Sequence, residues 1–245
     1  MLQSLYTSIR ISAMETIFTF SLSPSNRIKI VECGAIPALV NILTQRHGNL
    51  ELSTKAASAI YNLAINEENR RAIGSSDVMR LLLHRFNDGD VSSREEAGLT
   101  LCYLFLCSQN LSRFPISPST IFTLVMAAVN YDDSVFKEEE EDVPIELRKI
   151  AAILLYHLIG TNRGREPLMD INIVSSFLRI LRKGEGIEVY CLASLYNICL
   201  HDVNGFRRVA IEERADEVLA EMTEAWGEDG CELAQRMLEV IKRRI

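Results

Sequence analysis

The chain has 245 residues, of which 48% are hydrophobic, and carries a net charge of -7 with a pI near 5.3. This acidic balance argues against nucleic acid or an anionic membrane as the main partner. The longest apolar run, Ile150 to Gly160, has 11 residues and contains His157, whereas a membrane-spanning helix needs about 20. Because no charged segment precedes an apolar one near the start, we predict no signal peptide, no membrane span and a cytoplasmic or nuclear location.

The first 22 residues carry apolar side chains at steps of three and four, which predicts a helix. We expect this helix to correspond to the last helix of the repeats described below, so that the chain begins inside a repeat. One apolar flank should then be uncovered, to be filled by an upstream domain or a partner, unless the chain is a shortened one. The predicted stripe consists of Leu2, Leu5, Ile9, Ala13, Ile17 and Phe20.

Three helices of increasing length are predicted next. The short helix runs from Asn26 to Glu32 and is closed by Gly34, which suits the left-handed conformation that ends helices. A medium helix follows up to Leu43, with Pro37 in its first turn, where the missing N–H costs nothing. The long helix runs from about Leu50 to Ile65. We predict that its buried face comprises Leu52, Ala56, Ala59, Ile60 and Leu63.

The end of the long helix returns four times along the chain. Ala59 to Ala64 has its strongest copy at Ser194 to Cys199, and weaker copies surround Thr19, Tyr103 and His157. With Asn62 and Asn197 as the central residues of the two strong copies, the successive spacings are 43, 41, 54 and 40 residues. A period of about 40 residues is typical of a helical solenoid, in which each repeat buries its apolar faces against its neighbours.

The later repeats follow the same plan with changes. A polar outer face on the final helix is expected of a terminal repeat that caps the solenoid. The predicted segments are a restart at Asn69 to Gly74 with helices Val78 to Phe86 and Ser92 to Cys107; Arg113 to Pro118 in place of a short helix, with helices Ser119 to Asn130 and Pro144 to Ile159; a start at Asn162-Arg163 with helices Ile171 to Leu181 and Glu188 to Leu200; and Val203 to Glu213, Ala215 to Trp226 and Gly230 to Ile245.

Asn26-Arg27, Gly34 to Val40 and Ala59 to Ala64 together resemble the armadillo repeat. The resemblance implies an all-α protein, a right-handed α-solenoid of about five and a half three-helix repeats in one domain, 1–245. The Asn-Arg pair and the Gly-Ala-Ile-Pro-x-Leu-Val run most resemble repeats of plant U-box ubiquitin ligases, although these 245 residues contain no U-box-like segment. The expected boundaries are a partial repeat 1–25 and repeats at about 26–67, 68–109, 110–161, 162–201 and 202–245.

Stacked third helices line the concave side of armadillo proteins, where asparagines hydrogen-bond the backbone of an extended peptide. The resemblance implies this role for Asn62 and Asn197. Lys55 is the one clear positive charge among the polar side chains in this register, so an extended or helical partner segment that is basic or neutral should fit best. The alternative is that these are ordinary solvated helix residues. The other candidate groove residues are Ser58, Glu51, Tyr103, Glu96, His157 and Tyr190, with Glu15 and Glu146 on or near the groove.

An acidic run interrupts the repeat 110–161 between its second and third helices, at 131–143. It contains Glu138, Glu139, Glu140 and Glu141. Such a run predicts a solvated loop, and the alternative is a contact with a basic partner.

Chemical motifs are scarce. The four histidines lack metal-ligand spacing apart from the neighbours His201 and Asp202, no Gly-x-Ser-x-Gly occurs, and no strand precedes Gly184-Glu185-Gly186 to make a phosphate loop. Six cysteines without a Cys-x-x-Cys pair read as small buried side chains with free thiols. We therefore predict a protein-binding scaffold without catalytic residues, metal, cofactor or small-molecule substrate. The alternative function is the substrate-recognition part of a U-box ubiquitin ligase.

Overall fold

A computed structural model describes residues 7–45, 49–74, 77–129, 143–184, 186–225 and 228–242. Residues 130–142, with Glu138 to Glu141 and nearly all of the acidic run, lie outside the described residues, as do His47 and Trp226. All regular structure in the described ranges is helical, which confirms the all-α prediction. The helices form two compact units, an N-terminal half (Met1–Pro115) and a C-terminal half (Ile116–Ile245). The prediction of one domain with the repeat boundaries given above stays a prediction.

In the N-terminal half, the long third helices pack side by side in the order α1, α4, α7, and α3 and α6 pack on the third helix that follows each of them. The long helix predicted from Leu50 to Ile65 has those bounds in the structure. The eight helices described in this half are α1 (Thr7–Leu22), α2 (Pro24–Glu32), α3 (Ala35–Leu43), α4 (Leu50–Ile65), α5 (Glu67–Gly74), α6 (Val78–Asp88), α7 (Val91–Phe105) and α8 (Ser108–Arg113).

Local signals explain where these helices start. The Asn49 side chain accepts a hydrogen bond from the backbone N–H of Leu52 at 3.0 Å and opens α4, and Asp90 does the same for Ser93 at 2.8 Å and opens α7. Each such N-cap satisfies an N–H that the helix itself leaves unpaired. Gly34 lies between α2 and α3 at φ +78°, a conformation that favours glycine.

The arginine of the Asn-Arg motif closes the preceding third helix. Arg27 donates from Nε to the Ser21 carbonyl at 3.0 Å and from Nη2 to the Leu22 carbonyl at 3.2 Å. Arg70 repeats this at the end of α4, on the carbonyls of Ala64 and Ile65. The last carbonyls of a helix lack intrahelical partners and carry partial negative charge, so a guanidinium there satisfies and stabilises them.

The asparagine of the motif joins neighbouring repeats. Asn69 is buried, and its Nδ2 donates to the Leu63 carbonyl at 3.1 Å and to the Arg27 carbonyl of the preceding short helix at 3.0 Å. Asn110 donates in the same way to the carbonyls of Leu104 and Arg70, at 3.1 and 2.7 Å. The asparagine of the Asn-Arg motif therefore has a structural role. It holds its own short helix against the end of the preceding third helix and against the preceding short helix.

Asn110 also explains an error in the prediction. We expected Arg113 to Pro118 to replace the short helix of this repeat, but α8 (Ser108–Arg113) is present just before that segment. The two Asn110 hydrogen bonds anchor α8 on α5 and α7, and Pro115 follows the helix instead of replacing it.

The C-terminal half contains α9 (Pro118–Val129), α10 (Ile145–Ile159), α11 (Asn162–Asp170), α12 (Ile173–Lys183), α13 (Glu188–His201), α14 (Val203–Glu212), α15 (Ala215–Ala225) and α16 (Glu228–Lys242). Here too the long helices α10, α13 and α16 pack in sequence, and α9, α12 and α15 pack on the long helix that follows each.

The short helix predicted to start at Asn162-Arg163 does so, since α11 begins at Asn162, but this pair does not occupy the place of the Asn-Arg motif in the earlier repeats. Both side chains are exposed, whereas Arg165 donates from Nε to the Ile159 carbonyl at 3.1 Å, six residues earlier, as Arg27 and Arg70 do. Gly164 consequently takes the asparagine position. A Cβ there would lie 2.4 Å from the Leu158 carbonyl oxygen, so this repeat brings the chain too close for a side chain.

The final helix has the predicted polarity in the described range. Ala234, Met237 and Ile241 are buried, and Leu238 is half-buried. The outward-facing residues Glu232, Arg236, Glu239 and Lys242 are exposed.

Candidate protein-binding face

Polar side chains on the three packed third helices of the N-terminal half form one surface. We call it the third-helix face and define it by Glu15 on α1, by Glu51, Lys55 and Ser58 on α4, and by Glu96 and Tyr103 on α7. Glu15, Glu51 and Lys55 meet directly: Lys55 Nζ lies 2.7 Å from Glu15 Oε1 and 3.0 Å from Glu51 Oε1. Hydrogen bonds to the two carboxylates raise the pKa of Lys55, so the only ammonium of this face is already shared by two acids.

Glu96 continues the face on α7. Its carboxylate hydrogen-bonds Ser58, and Arg85 lies near enough to favour the charged form, yet burial outweighs both and raises the pKa of Glu96. When it is ionised, Glu96 therefore carries a poorly solvated negative charge. An approaching cation would gain more from such a carboxylate than from a fully hydrated one.

An aromatic pair borders Glu96. The rings of Tyr61 and Tyr103 lie 6.0 Å apart edge to face, and the Arg70 guanidinium lies 5.7 Å from the centre of the Tyr103 ring. Burial raises the pKa of Tyr61, and the nearby Glu96 charge adds to the shift. The sequence prediction missed Tyr61, although its position three residues after Ser58 places it on the same side of α4.

Asn62 differs from its prediction. We expected it on the open polar line of the groove, but it is only 8% exposed. Its Nδ2 donates to Ser21 Oγ at 3.0 Å, and Ser21 Oγ in turn donates to the Phe18 carbonyl at 2.6 Å. The cause is the close packing of α1 across α4, which turns the end of the predicted polar line into a buried inter-repeat contact. Peptide binding by Asn62 stays a prediction, and it would require this hydrogen bond to open.

The remaining predicted groove residues lie in the C-terminal half. His157 on α10 and Tyr190 and Asn197 on α13 are each half-buried. The His157 ring lies 5.4 Å from that of Tyr156, and burial lowers the His157 pKa, so the neutral imidazole predominates at pH 7. Asn197 is thus more accessible than Asn62, and the two predicted asparagines lie in different halves of the chain. Their peptide-binding role stays a prediction.

The described residues contain no group of three or more potential metal ligands from His, Cys, Asp and Glu.

Burial raises the pKa of the Cys102 and Cys199 thiols to about 12 and about 11, so both are protonated and poorly nucleophilic at neutral pH. The prediction of buried cysteines was wrong for Cys33, which is exposed, and only partly right for Cys102 and Cys107, which are half-buried. Cys33 is the C-cap of α2 next to Gly34, and α2 itself has no buried side chain. No described helix is long and apolar enough to cross a membrane.

Sequence comparison decides which repeat this is. The family model of the armadillo/beta-catenin-like repeat matches residues 23–65, which span α2, α3 and α4. The chain carries an armadillo repeat. Among curated proteins the chain is similar to U-box domain-containing protein 38 of Arabidopsis thaliana, with 25% identity over all of the chain and 43% of the relative. It is also similar to U-box domain-containing protein 12 of the same plant, with 35% identity over 35% of the chain and 13% of that relative. The chain therefore spans less than half the length of these curated relatives.

Solved structures agree on the fold. A designed armadillo repeat protein superposes with a TM-score of 0.73 at 18% identity, covering 98% of this chain and 97% of its own. A second designed armadillo repeat protein, solved in complex with the peptide (KR)4, gives 0.72 at 19% identity and covers 98% and 96%. At these identities the likeness shows the fold alone, and it confirms the predicted armadillo α-solenoid.

Proposed function

We propose that the armadillo chain is a protein-binding scaffold whose third-helix face holds a basic, extended segment of a partner. The observation that carries the proposal is the charge arrangement of this face, where Glu15 and Glu51 share the ammonium of Lys55 and the partly buried Glu96 adds a third carboxylate. The Tyr61 and Tyr103 rings lie beside them and offer apolar area for the stem of a lysine or arginine side chain.

The two ends of the face would contribute differently. Lys55 is bonded to both Glu15 and Glu51, so an incoming cation at that end competes with an existing one. Glu96 is not bonded to Lys55, although the Arg85 guanidinium lies near it, and its partial burial weakens the screening of its charge by water. Glu96 is therefore the position where a partner cation gains most, and Lys55 is the position where it meets repulsion.

Two general facts support this proposal. The armadillo fold is typically a non-enzymatic scaffold, and one similar designed armadillo repeat protein has been solved with a peptide of alternating Lys and Arg, (KR)4. The same peptide is a suitable probe for this chain.

The test is a titration of fluorescently labelled (KR)4 monitored by anisotropy at physiological ionic strength. We expect Glu96→Gln to weaken binding by about fivefold, which corresponds to roughly 1 kcal/mol for one partly desolvated charge pair. Lys55→Gln should strengthen binding, because it removes the competing ammonium. Glu68→Gln, the same charge change at an exposed site on α5, serves as the control and should leave the affinity unchanged. Equal effects of the two glutamate substitutions would show a non-specific charge effect and remove the proposal.

A second candidate function rests on the names of the relatives. Both curated relatives reported above are U-box domain-containing proteins, so we also propose that the chain serves as the substrate-recognition part of a U-box ubiquitin ligase. The complete gene and an affinity purification test this directly. A U-box encoded in the same gene, or a ligase that co-purifies with the chain, supports the role, and the lack of both rejects it.

A further inference from the structure

The first helix of the N-terminal half leaves an apolar flank open to solvent. Ile9 is 42% and Phe20 55% exposed, as expected from the sequence, while Met14 and Ser21 form the buried side of α1. Phe20 and its neighbour Ile17 line a groove of about 650 Å³ that also contacts α2 and the start of α3. Ile30 and Cys33 of α2 are on its opposite wall.

The next repeat shows what fills the same position inside the protein. Ala56, Ile60 and Leu63 of α4 correspond, 43 residues later, to the groove residues Ala13, Ile17 and Phe20 of α1. The three α4 side chains are completely buried. They are covered because α3 packs on α4 through its buried face of Ile36, Leu39 and Ile42. The open groove on α1 therefore has the composition of a surface that accepts a medium-length amphipathic helix.

A hydrogen-bond donor at the groove points to a second helix. Asn26 lines the groove and precedes Asn69 by 43 residues. Where Asn69 bonds two carbonyls, one of them at the end of α4 and one in the short helix α2, Asn26 Nδ2 reaches the Phe20 carbonyl alone, at 3.5 Å. Asn69 has a second acceptor, the Arg27 carbonyl. Among the described residues, Asn26 has no equivalent second acceptor. Lys29 is exposed at the same rim, and a cation there suits the carbonyl end of a helix.

We propose that this groove docks a helical hairpin with the chemistry of α2 and α3: a short helix whose carbonyl accepts from Asn26, followed by an amphipathic helix whose apolar stripe covers Ile17 and Phe20. An extended peptide would leave the apolar groove largely unfilled. The outer face of α16 in a second copy is charged, with Glu232, Arg236 and Glu239 exposed, and so does not match an apolar acceptor. This interaction surface is separate from the third-helix face.

The test adds such a hairpin to the full chain. Residues 24–43, with Cys33 replaced by Ser in the added copy alone, are fused ahead of Met1, so that residues 1–6 take the place of the six residues 44–49 that join α3 to α4. The readout is the rate at which the original Cys33, an exposed groove residue, reacts with a maleimide, followed by peptide mass spectrometry. The matched control carries Leu39→Asp in the added hairpin and leaves every residue of the original chain intact.

Docking should slow the labelling of the original Cys33 by roughly tenfold or more, since a covered thiol reacts only when the hairpin opens. The Leu39→Asp hairpin should leave the rate close to that of the unfused chain. An unchanged rate in the fused chain, or equal slowing by both hairpins, would overturn the proposal. Sedimentation of the unfused chain as a dimer with Cys33 already protected would overturn it as well, because the occupant would then be a second copy.

Discussion

Replacement of Asn69 by alanine, compared with the same change at Asn26, measures the inter-repeat role of the Asn-Arg motif. Asn69 is buried, with hydrogen bonds of 3.0 and 3.1 Å from its Nδ2. Each bond contributes about 1 kcal/mol net to the free energy of unfolding, so the loss of both in Asn69→Ala lowers it by about 2 kcal/mol. The better helix propensity of alanine returns about 0.5 kcal/mol. We therefore expect the free energy of unfolding to fall by about 1.5 kcal/mol.

Asn26→Ala is the matched control, because Asn26 occupies the same place in the repeat with a single contact of 3.5 Å. Its free energy of unfolding should stay within about 0.5 kcal/mol of the wild-type value. Urea unfolding followed by circular dichroism compares the variants, provided that the slope m is unchanged, since repeat proteins do not always unfold in one step. Equal losses at the two positions would refute the assignment of Asn69 as a link between repeats.

Three further substitutions test other parts of the structure. Gly164→Ala places a Cβ 2.4 Å from the Leu158 carbonyl oxygen and should lower the free energy of unfolding by about 1–3 kcal/mol. The control Gly160→Ala, at an exposed helix end with φ -62°, should leave it almost unchanged in the same thermal or urea assay. Burial lowers the His157 pKa below 6.5, so the folded protein binds this proton less readily than the unfolded chain and should lose stability as pH falls below about 6.5; His157→Gln should reduce that loss in unfolding curves at pH 7.5 and 5.0, and an identical loss would contradict it. Burial raises the Glu96 pKa above 4.5, so the Glu96 carboxyl destabilises the folded chain as pH rises from 4.5 through the pKa of the folded state. Glu96→Gln should therefore stabilise the chain at pH 7 and not at pH 4. The gain should be less than about 1 kcal/mol, because the group is partly solvated.

Most helices other than α8 were predictable, because several signals in the sequence agree. For α4, Asn49 supplies a cap, the apolar residues keep one face, and the helix has the predicted bounds. The motif register at residues 162–165 was not predictable in the same way. Arg163 and Arg165 are two residues apart, and only the contact with the Ile159 carbonyl shows which of them closes α10.

The candidate site was only partly predictable, because helical periodicity gives the direction of a side chain and not the distance to the next helix. Lys55 and Glu51 are four residues apart, so their ion pair follows from spacing. The partner across the repeat, Glu15, and the aromatic pair of Tyr61 and Tyr103 depend on how third helices pack. Asn62 shows the limit most clearly, since the packing of α1 buries a residue that periodicity alone placed at the open surface.

The affinity for (KR)4 of two multiply substituted chains tests the proposed binding face most directly. One carries Glu51→Gln and Glu96→Gln on the third-helix face, and the other replaces Glu138, Glu139, Glu140 and Glu141 of the acidic run by Gln. At physiological ionic strength the first chain should bind the peptide at least about tenfold more weakly, corresponding to about 1.4 kcal/mol, because two carboxylates of the proposed binding face are neutralised. The second chain should bind within about twofold of the wild type. The opposite ranking, with full affinity retained without Glu51 and Glu96 and lost without the acidic run, would contradict the assignment of the third-helix face as the binding site.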